Sequence, residues 1–153
     1  MQTHEGGCLC GKVRFRVEGE PERAAICHCR YCQLRTGSAF GVSVYVPLDR
    51  VTRLAGDLQE FSFQSESGNT WQIERCSSCG TQVYWTIDAG PWASLQGISG
   101  GCFDPPSFWY PIRREVFARS RAEFCSIEVS ESHETHPAHA PLEPDQGYLS
   151  WKG

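Results

Sequence analysis

The sequence has no apolar run that approaches the length of a membrane-spanning helix, about 20 residues. Its first residues, "MQTHEGGCLCGKVRF", lack the basic region followed by an apolar stretch that is typical of a secretory signal. These two absences disfavour the membrane and secreted classes of protein. We therefore expect a cytoplasmic protein with no membrane partner.

Clustered positive charge is also missing. The 14 Lys and Arg residues are scattered and are outnumbered by 18 Asp and Glu, so the net charge is −4 and the sequence pI is near 5.7. Proteins that bind nucleic acids or anionic surfaces usually carry a basic patch or stripe. The charge pattern therefore predicts no nucleic-acid partner.

Long segments with helical periodicity are absent, and most signals indicate β-strands. "KVRFRVEG" alternates Val13, Phe15 and Val17 with basic residues, which is the period of a half-buried strand. "AFGVSVYV" repeats this alternation, and "LQEFSFQ" and "TWQIERC" flank the turn-forming "SESGN" as a hairpin. Further strands are predicted at "TQVYWTI", "WASLQGI" and, as the last strand, "REVFARS". Only "CQLRTGS", from Cys32, predicts a short turn of helix, ended by Gly37.

The composition divides the chain near Cys125. Residues 1–125 have the length and pattern of one compact all-β domain, whereas residues 126–153 are rich in Ser, Glu, Pro and His and predict an extended tail. His133, His136 and His139 recur every three residues, but Pro137 prevents one continuous helix from presenting all three. We interpret them as part of a tail that docks on its own domain or on a second subunit, as in a homodimer. Its candidate anchors are Tyr148, Leu149 and Trp151.

What the chain has in abundance is cysteine, with nine residues. In a reducing compartment clustered thiols are more often metal ligands than disulfides, and neighbours such as Cys27 and Cys29 are too close for an unstrained bridge. Seven of the nine fall into the clusters "CLCG", "CHCRYC" and "CSSCG". These seven are Cys8, Cys10, Cys27, Cys29, Cys32, Cys76 and Cys79.

The first and third clusters have the form of two halves of one zinc site. In both, the last cysteine precedes a glycine, Gly11 or Gly80, which suits a tight turn with positive φ and N–H groups pointing at sulfur. Two ligands from each cluster give a closed Cys₄ site, the form typical of structural zinc. In the alternative, one of these clusters pairs with the central cluster and leaves a central cysteine without a metal.

The central cluster keeps three thiols of its own. A zinc bound by Cys27, Cys29 and Cys32 would retain an open coordination position, as catalytic zinc sites do. His28 lies between two ligating cysteines, and adjacent residues rarely point at the same metal. We therefore interpret His28 as a supporting or exposed side chain rather than as a fourth ligand.

The order "GGCLCGKVRF", "CHCRYCQLRTGSAFG" and "ERCSSCGTQVYW" closely resembles the glutathione-dependent formaldehyde-activating family, which includes the centromere protein V group. The resemblance covers roughly Gly6 to Arg121. It implies an all-β, Mss4-like (β-tent) fold of small antiparallel sheets stapled by zinc, with two zinc ions per chain. It also implies the same division of ligands as the spacing. The structural set is Cys8, Cys10, Cys76 and Cys79, and the active-site set is Cys27, Cys29 and Cys32.

The activity implied by the resemblance joins glutathione to formaldehyde to give S-hydroxymethylglutathione, a carbon–sulfur lyase reaction in the reverse sense. A zinc with three thiolate ligands can accept the glutathione sulfur and lower its pKa beside the aldehyde. The partners of the chain would then be a small-molecule thiol and an aldehyde or a related electrophile.

Residues after the central cluster are candidates for the substrate pocket. Thr36, Gly37 and Phe40 are expected to shape it, and Ser38 is either a catalytic hydrogen-bond donor to a substrate oxygen or a hydroxyl that stabilises the turn. Glutathione carries two carboxylates, and two nearby cations suit them, although both are also ordinary surface residues. These are Arg30 and Arg35.

Two classes of function remain open from the sequence. The first is the zinc-dependent carbon–sulfur lyase, and the second is a non-catalytic zinc module whose two metals are structural and whose surface binds a protein partner. The fourth position of the central zinc separates them. A pocket open beside the three thiols favours the enzyme, whereas closure by His28, a tail histidine or a cysteine favours the module.

Overall fold

The computed structural model describes residues 1–65 and 67–139. The anchors predicted at Tyr148, Leu149 and Trp151 lie outside the described residues. The strands are β1 (Thr3–Gly7), β2 (Arg14–Glu18), β3 (Arg23–Cys27), β4 (Gly41–Pro47), β5 (Val51–Ala55), β6 (Leu58–Gln64), β7 (Thr70–Cys76), β8 (Gln82–Ile87), β9 (Leu95–Ser99), β10 (Arg114–Val116) and β11 (Glu131–Ser132). The α-helix is α1 (Arg30–Thr36), and single 3-10 turns occupy Leu48–Arg50, Gly90–Trp92, Gly100–Cys102 and Ala118–Ser120.

The strands form two sheets. The smaller sheet has the order β1-β2-β5 and is antiparallel, and the larger has the order β11-β10-β3-β4-β9-β8-β7-β6. In the larger sheet β10 runs parallel to both β3 and β11, and the other neighbours are antiparallel. The fold is all-β, as the sequence predicts. None of the helices in the described residues is long and apolar enough to span a membrane.

The hairpin of β6 and β7 has the predicted position, with Leu58 opposite Cys76 at its base and Gln64 opposite Thr70 at its turn. The prediction that "REVFARS" holds the last strand is wrong. Only Arg114–Val116 is extended, because Phe117 turns the chain with φ +57°, and the two-residue strand β11 follows later. That strand pairs through its backbone and carries no alternation of apolar residues, so its sequence gives no strand signal.

The core lies between the two sheets. Phe15 and Val17 of β2 are fully buried and pack with Tyr84 of β8 and Ile98 of β9. The Phe15 ring meets the edge of the Tyr84 ring at 5.7 Å and that of Phe103 at 5.3 Å. The alternation in "KVRFRVEG" therefore places its apolar face against the larger sheet.

Replacing Phe15 with alanine tests this packing. Phe15→Ala removes a fully buried ring and leaves a cavity, so the free energy of unfolding should fall by about 3–5 kcal/mol. Chemical denaturation followed by fluorescence measures it. Phe61→Ala is the matched control, because Phe61 on the outermost strand β6 is 54% exposed and its loss should change stability by about 0.5 kcal/mol or less. Equal losses for the two variants would contradict the assignment of the core.

Candidate metal centre and active site

Four cysteines meet where the turn after β1 faces the turn after β7. The Sγ atoms of Cys8, Cys10, Cys76 and Cys79 all lie within 4.8 Å of one another. Cys8 and Cys10 are separated by 3.5 Å between their sulfurs, and Cys10 and Cys76 by 3.8 Å. The group therefore joins two segments of the chain that are more than 60 residues apart.

Both turns have the same local geometry. Gly11 and Gly80 each adopt φ +78°, the left-handed conformation in which a glycine is unstrained, as the sequence predicts. In the first turn a backbone N–H group points at sulfur, since Val13 N donates a hydrogen bond to Cys8 Sγ at 3.2 Å. On the other turn the Thr81 hydroxyl, 3.2 Å from Cys79 Sγ, lowers the pKa of Cys79 to about 5. Such contacts stabilise thiolates, the form in which cysteine binds a metal.

The spacing of the four sulfurs fits zinc. Tetrahedral zinc with Zn–S bonds of about 2.3 Å places its sulfurs about 3.8 Å apart. The separations of 3.5 and 3.8 Å in this group are close to that value. Four thiol donors are the donor set of a closed structural zinc site.

A second group consists of the three central cysteines. Cys27 ends β3, Cys29 is the N-cap of α1, and Cys32 lies in the first turn of that helix. Their sulfurs lie within 4.8 Å of one another, and Cys29 accepts a hydrogen bond from Cys32 N at 3.4 Å. Within residues 1–65 and 67–139, no fourth His, Cys, Asp or Glu joins this group. Its donor set fits a zinc with an open fourth position.

Arg35 supports the central group from α1. Its Nη2 lies 3.6 Å from Cys32 Sγ and 3.4 Å from Ser43 Oγ, and its guanidinium stacks over the Trp85 ring at 4.4 Å. Hydrogen bonds from the Cys27 and Cys29 thiols, together with the charge of Arg35, hold the pKa of Cys32 well below its usual range.

His28 faces away from the three sulfurs. It is fully buried, and its Nε2 lies 2.8 Å from Glu115 Oε2. Glu115 also accepts a hydrogen bond from the Ser132 hydroxyl at 2.8 Å and lies 3.5 Å from Arg121. Burial acts to raise the pKa of Glu115, but these partners hold it below its usual value. His28 is therefore a buried side chain that supports the cysteine loop through its contact with Glu115. The alternative interpretation, an exposed side chain, is wrong.

The three thiols form part of the wall of a cavity of about 840 Å³. Apolar and aromatic side chains make much of the remaining wall, among them Tyr45, Trp71, Trp92 and Phe117. A volume of this size is typical of small-molecule sites, which span about 300–1,000 Å³. The central group therefore borders a cavity large enough for a small molecule.

The structure places the predicted pocket residues around the end of α1. Thr36 Oγ1 donates to Cys32 O at 2.6 Å, Gly37 is the left-handed C-cap, and Ser38 is exposed with its N–H donating to Thr36 Oγ1. The Phe40 ring meets the buried His28 edge-on. The described residues that line the cavity do not include Thr36, Gly37, Ser38 or Phe40.

The predicted carboxylate binders also lie elsewhere. Arg30 contacts Gln33 and Arg35 contacts the thiol group, and the cavity wall includes neither. The cations of the described wall are Arg23, Arg113 and Arg114. Arg113 and Arg114 are adjacent in "PIRREVF", at the start of β10. This basic pair is the feature of the sequence that could have indicated cations in the cavity wall.

The tail contributes to the same cavity. His136 and His139 line it, and Trp92 Nε1 donates to His139 Nε2 at 2.7 Å. The three-residue spacing of the histidines was visible in the sequence, and His133 is the member that turns away, toward Glu131. The division of the chain near residue 125 stays a prediction.

Comparisons with known proteins agree with this geometry. The family model for the glutathione-dependent formaldehyde-activating enzyme matches residues 3–120. A curated protein of Halomonas elongata, described as "Putative glutathione-dependent formaldehyde-activating enzyme", is 27% identical over 152 residues, 96% of this chain and 92% of that protein. The crystal structure of a Rhodobacter sphaeroides protein shares the fold with a TM-score of 0.51 and 16% identity, over 71% of this chain and 96% of that one.

The family match spans both cysteine groups, the helix α1 and the strands that carry them. The chain belongs to the glutathione-dependent formaldehyde-activating enzyme family.

Proposed function

We propose that the chain is a zinc-dependent carbon–sulfur lyase of the cytoplasm that forms and cleaves the adduct of a thiol with an aldehyde, with glutathione and formaldehyde as the first pair to test. The observation that carries this proposal is the three-cysteine group in the wall of a cavity. Zinc bound there supplies a cation that lowers the pKa of a substrate thiol.

The cavity wall has groups that suit a peptide-like thiol. The Arg113 side chain is exposed at the wall, and Arg23 lies over the Trp92 ring at 4.7 Å. Guanidinium groups bind carboxylates well, and glutathione has two. Glu20 and Glu22 lie at the same wall and can face its ammonium group.

The chemistry requires few groups from the protein. The substrate thiol gives its proton to solvent, its sulfur forms a bond to the carbonyl carbon, and the oxygen that receives the π electrons takes a proton from water. The protein holds the two reactants together, which is the main contribution of a site that orients a bimolecular reaction. The reverse path cleaves the carbon–sulfur bond.

The alternative, a zinc module with two structural metals, requires the central group to be closed. In the described residues its three sulfurs have no fourth ligand, and His28 is turned to Glu115. These observations support the enzyme over the module.

Zinc content and substrate binding test the proposal together. Full-length protein purified without oxygen should contain two zinc ions per chain, and X-ray absorption at the zinc edge should show one additional sulfur ligand when glutathione is added. Carbon-13 exchange NMR with labelled formaldehyde should show faster interconversion of formaldehyde and S-hydroxymethylglutathione than in buffer. If the chain holds two zinc ions whose ligands do not change when glutathione is added, and the exchange reaction is not accelerated, the binding module would be favoured.

The two cysteine groups should respond differently to mutation. Cys76→Ala should unfold the domain, because a closed zinc site contributes directly to folding free energy. Cys29→Ala should leave a folded protein with one zinc ion and no catalysis. Circular dichroism, zinc analysis and exchange NMR on both variants check this. If Cys29→Ala unfolds as completely as Cys76→Ala, the division into structural and catalytic sites is wrong.

A further inference from the structure

Residues 131–139, here called the strap, contribute to the wall of the cavity that the central thiols also line. The strap begins as β11, where Glu131 N donates to Arg113 O at 2.9 Å and His133 N donates to Glu115 O at 3.1 Å. The Ser132 hydroxyl ties it to the buried Glu115, the partner of His28. The strap is thus connected to the loop that carries the three cysteines.

An unusual backbone conformation holds the next part of the strap. Phe117 has φ +57° and ψ +40°, a left-handed conformation that is rare for a bulky residue. In this conformation the N–H groups of residues 117, 118 and 119 all donate to strap carbonyls, those of Thr135, His133 and Glu134. A strained residue that persists inside a hydrogen-bonded frame commonly marks a functional position.

Phe117 also connects the strap to the thiols. Its side chain is buried in one cluster with Cys29, Cys32 and Val116, and its ring centroid lies 6.3 Å from that of His136. His136 and the three cysteines line the same cavity. Phe117 therefore contacts both the cysteine cluster and the histidine.

The contacts of His136 determine which of its ring nitrogens carries the proton. Nδ1 accepts a hydrogen bond from Ala138 N at 3.0 Å, so the proton of the neutral ring lies on Nε2. The ring is half-buried among Trp92, Phe117 and His139. Burial, together with the charge of His139 and Arg114, lowers the pKa of His136 to about 4, so the ring is neutral at pH 7.

We propose that the strap supplies a substrate-binding residue, His136, whose Nε2–H donates a hydrogen bond to the carbonyl oxygen of the aldehyde in the cavity. The inference rests on the proposed function and deepens it. A neutral imidazole N–H polarises a carbonyl and stabilises the negative charge that develops on its oxygen as sulfur adds to the carbon. No proton leaves the ring, so the step needs no further acid or base from the protein.

His136 lies outside the region that the family model matches, because that match ends at residue 120. His133 is the natural comparison within the strap. Its side chain turns to Glu131 at 3.4 Å and does not belong to the described wall of the cavity.

Three variants of the full-length, zinc-loaded protein test the proposal. His136→Phe keeps a flat ring but removes the donor, and should lower kcat/KM for glutathione and formaldehyde by about 10- to 100-fold. His136→Gln places an amide N–H near the position of Nε2 and should restore most of the rate. His133→Phe, the same change at the neighbouring histidine, should leave the rate unchanged. Zinc content and melting temperature should match the wild type in all three.

Nitrogen-15 NMR of labelled histidine gives a readout that does not depend on turnover. His136 should be neutral at pH 7 with its proton on Nε2, and a proton on Nδ1 would overturn the inference. An active wild type whose His136→Phe variant keeps its full kcat/KM would overturn the inference alone. A wild type with no acceleration over buffer would overturn the proposed function and the inference together.

Discussion

The contact of four cysteine sulfurs between the turn after β1 and the turn after β7 is the constraint on which the arrangement of the two sheets depends. It closes a long loop of chain. A zinc ion bound there would contribute a free energy of about 10–16 kcal/mol, as large as the whole stability of a typical domain, about 5–15 kcal/mol. With that junction in place, β2 lies over the larger sheet and Phe15 is buried between them. The same sheet carries β3, and with it the central cysteines.

The central group depends on a different kind of support. Three polar side chains support it, the buried pair of His28 and Glu115 and the half-buried Arg35, which contacts Cys32 and the Trp85 ring. Buried polar groups are costly unless their hydrogen bonds are satisfied, and these contacts fix the geometry of the loop in return. The two sulfur groups thus differ in composition and surroundings, since one brings four cysteines together and the other brings three into the wall of a cavity.

Much of this could be predicted from the sequence because the signals are local. The alternation in "KVRFRVEG", the hairpin around "SESGN" and the glycines after Cys10 and Cys79 each depend on a few neighbouring residues. The cavity could not be predicted, because its wall is assembled from strands and loops far apart in sequence. Ser38 and Phe40 follow the cysteine loop in the chain, yet the cavity opens on another side, toward Trp92 and the strap. Pro137 does prevent a continuous helix. The docking of the strap could not be predicted, because it depends on backbone hydrogen bonds, which the sequence of side chains does not reveal.

The way in which the strap is held has a consequence for how such enzymes can diverge. The strap is held by hydrogen bonds from the backbone N–H groups of Phe117, Ala118 and Arg119 to its carbonyl oxygens. These hydrogen bonds do not depend on which side chains the strap carries. Substitutions at strap residues that line the cavity, such as His136, therefore leave these backbone hydrogen bonds in place. The strap can thus change the chemistry of its part of the cavity wall while its attachment to the domain is retained.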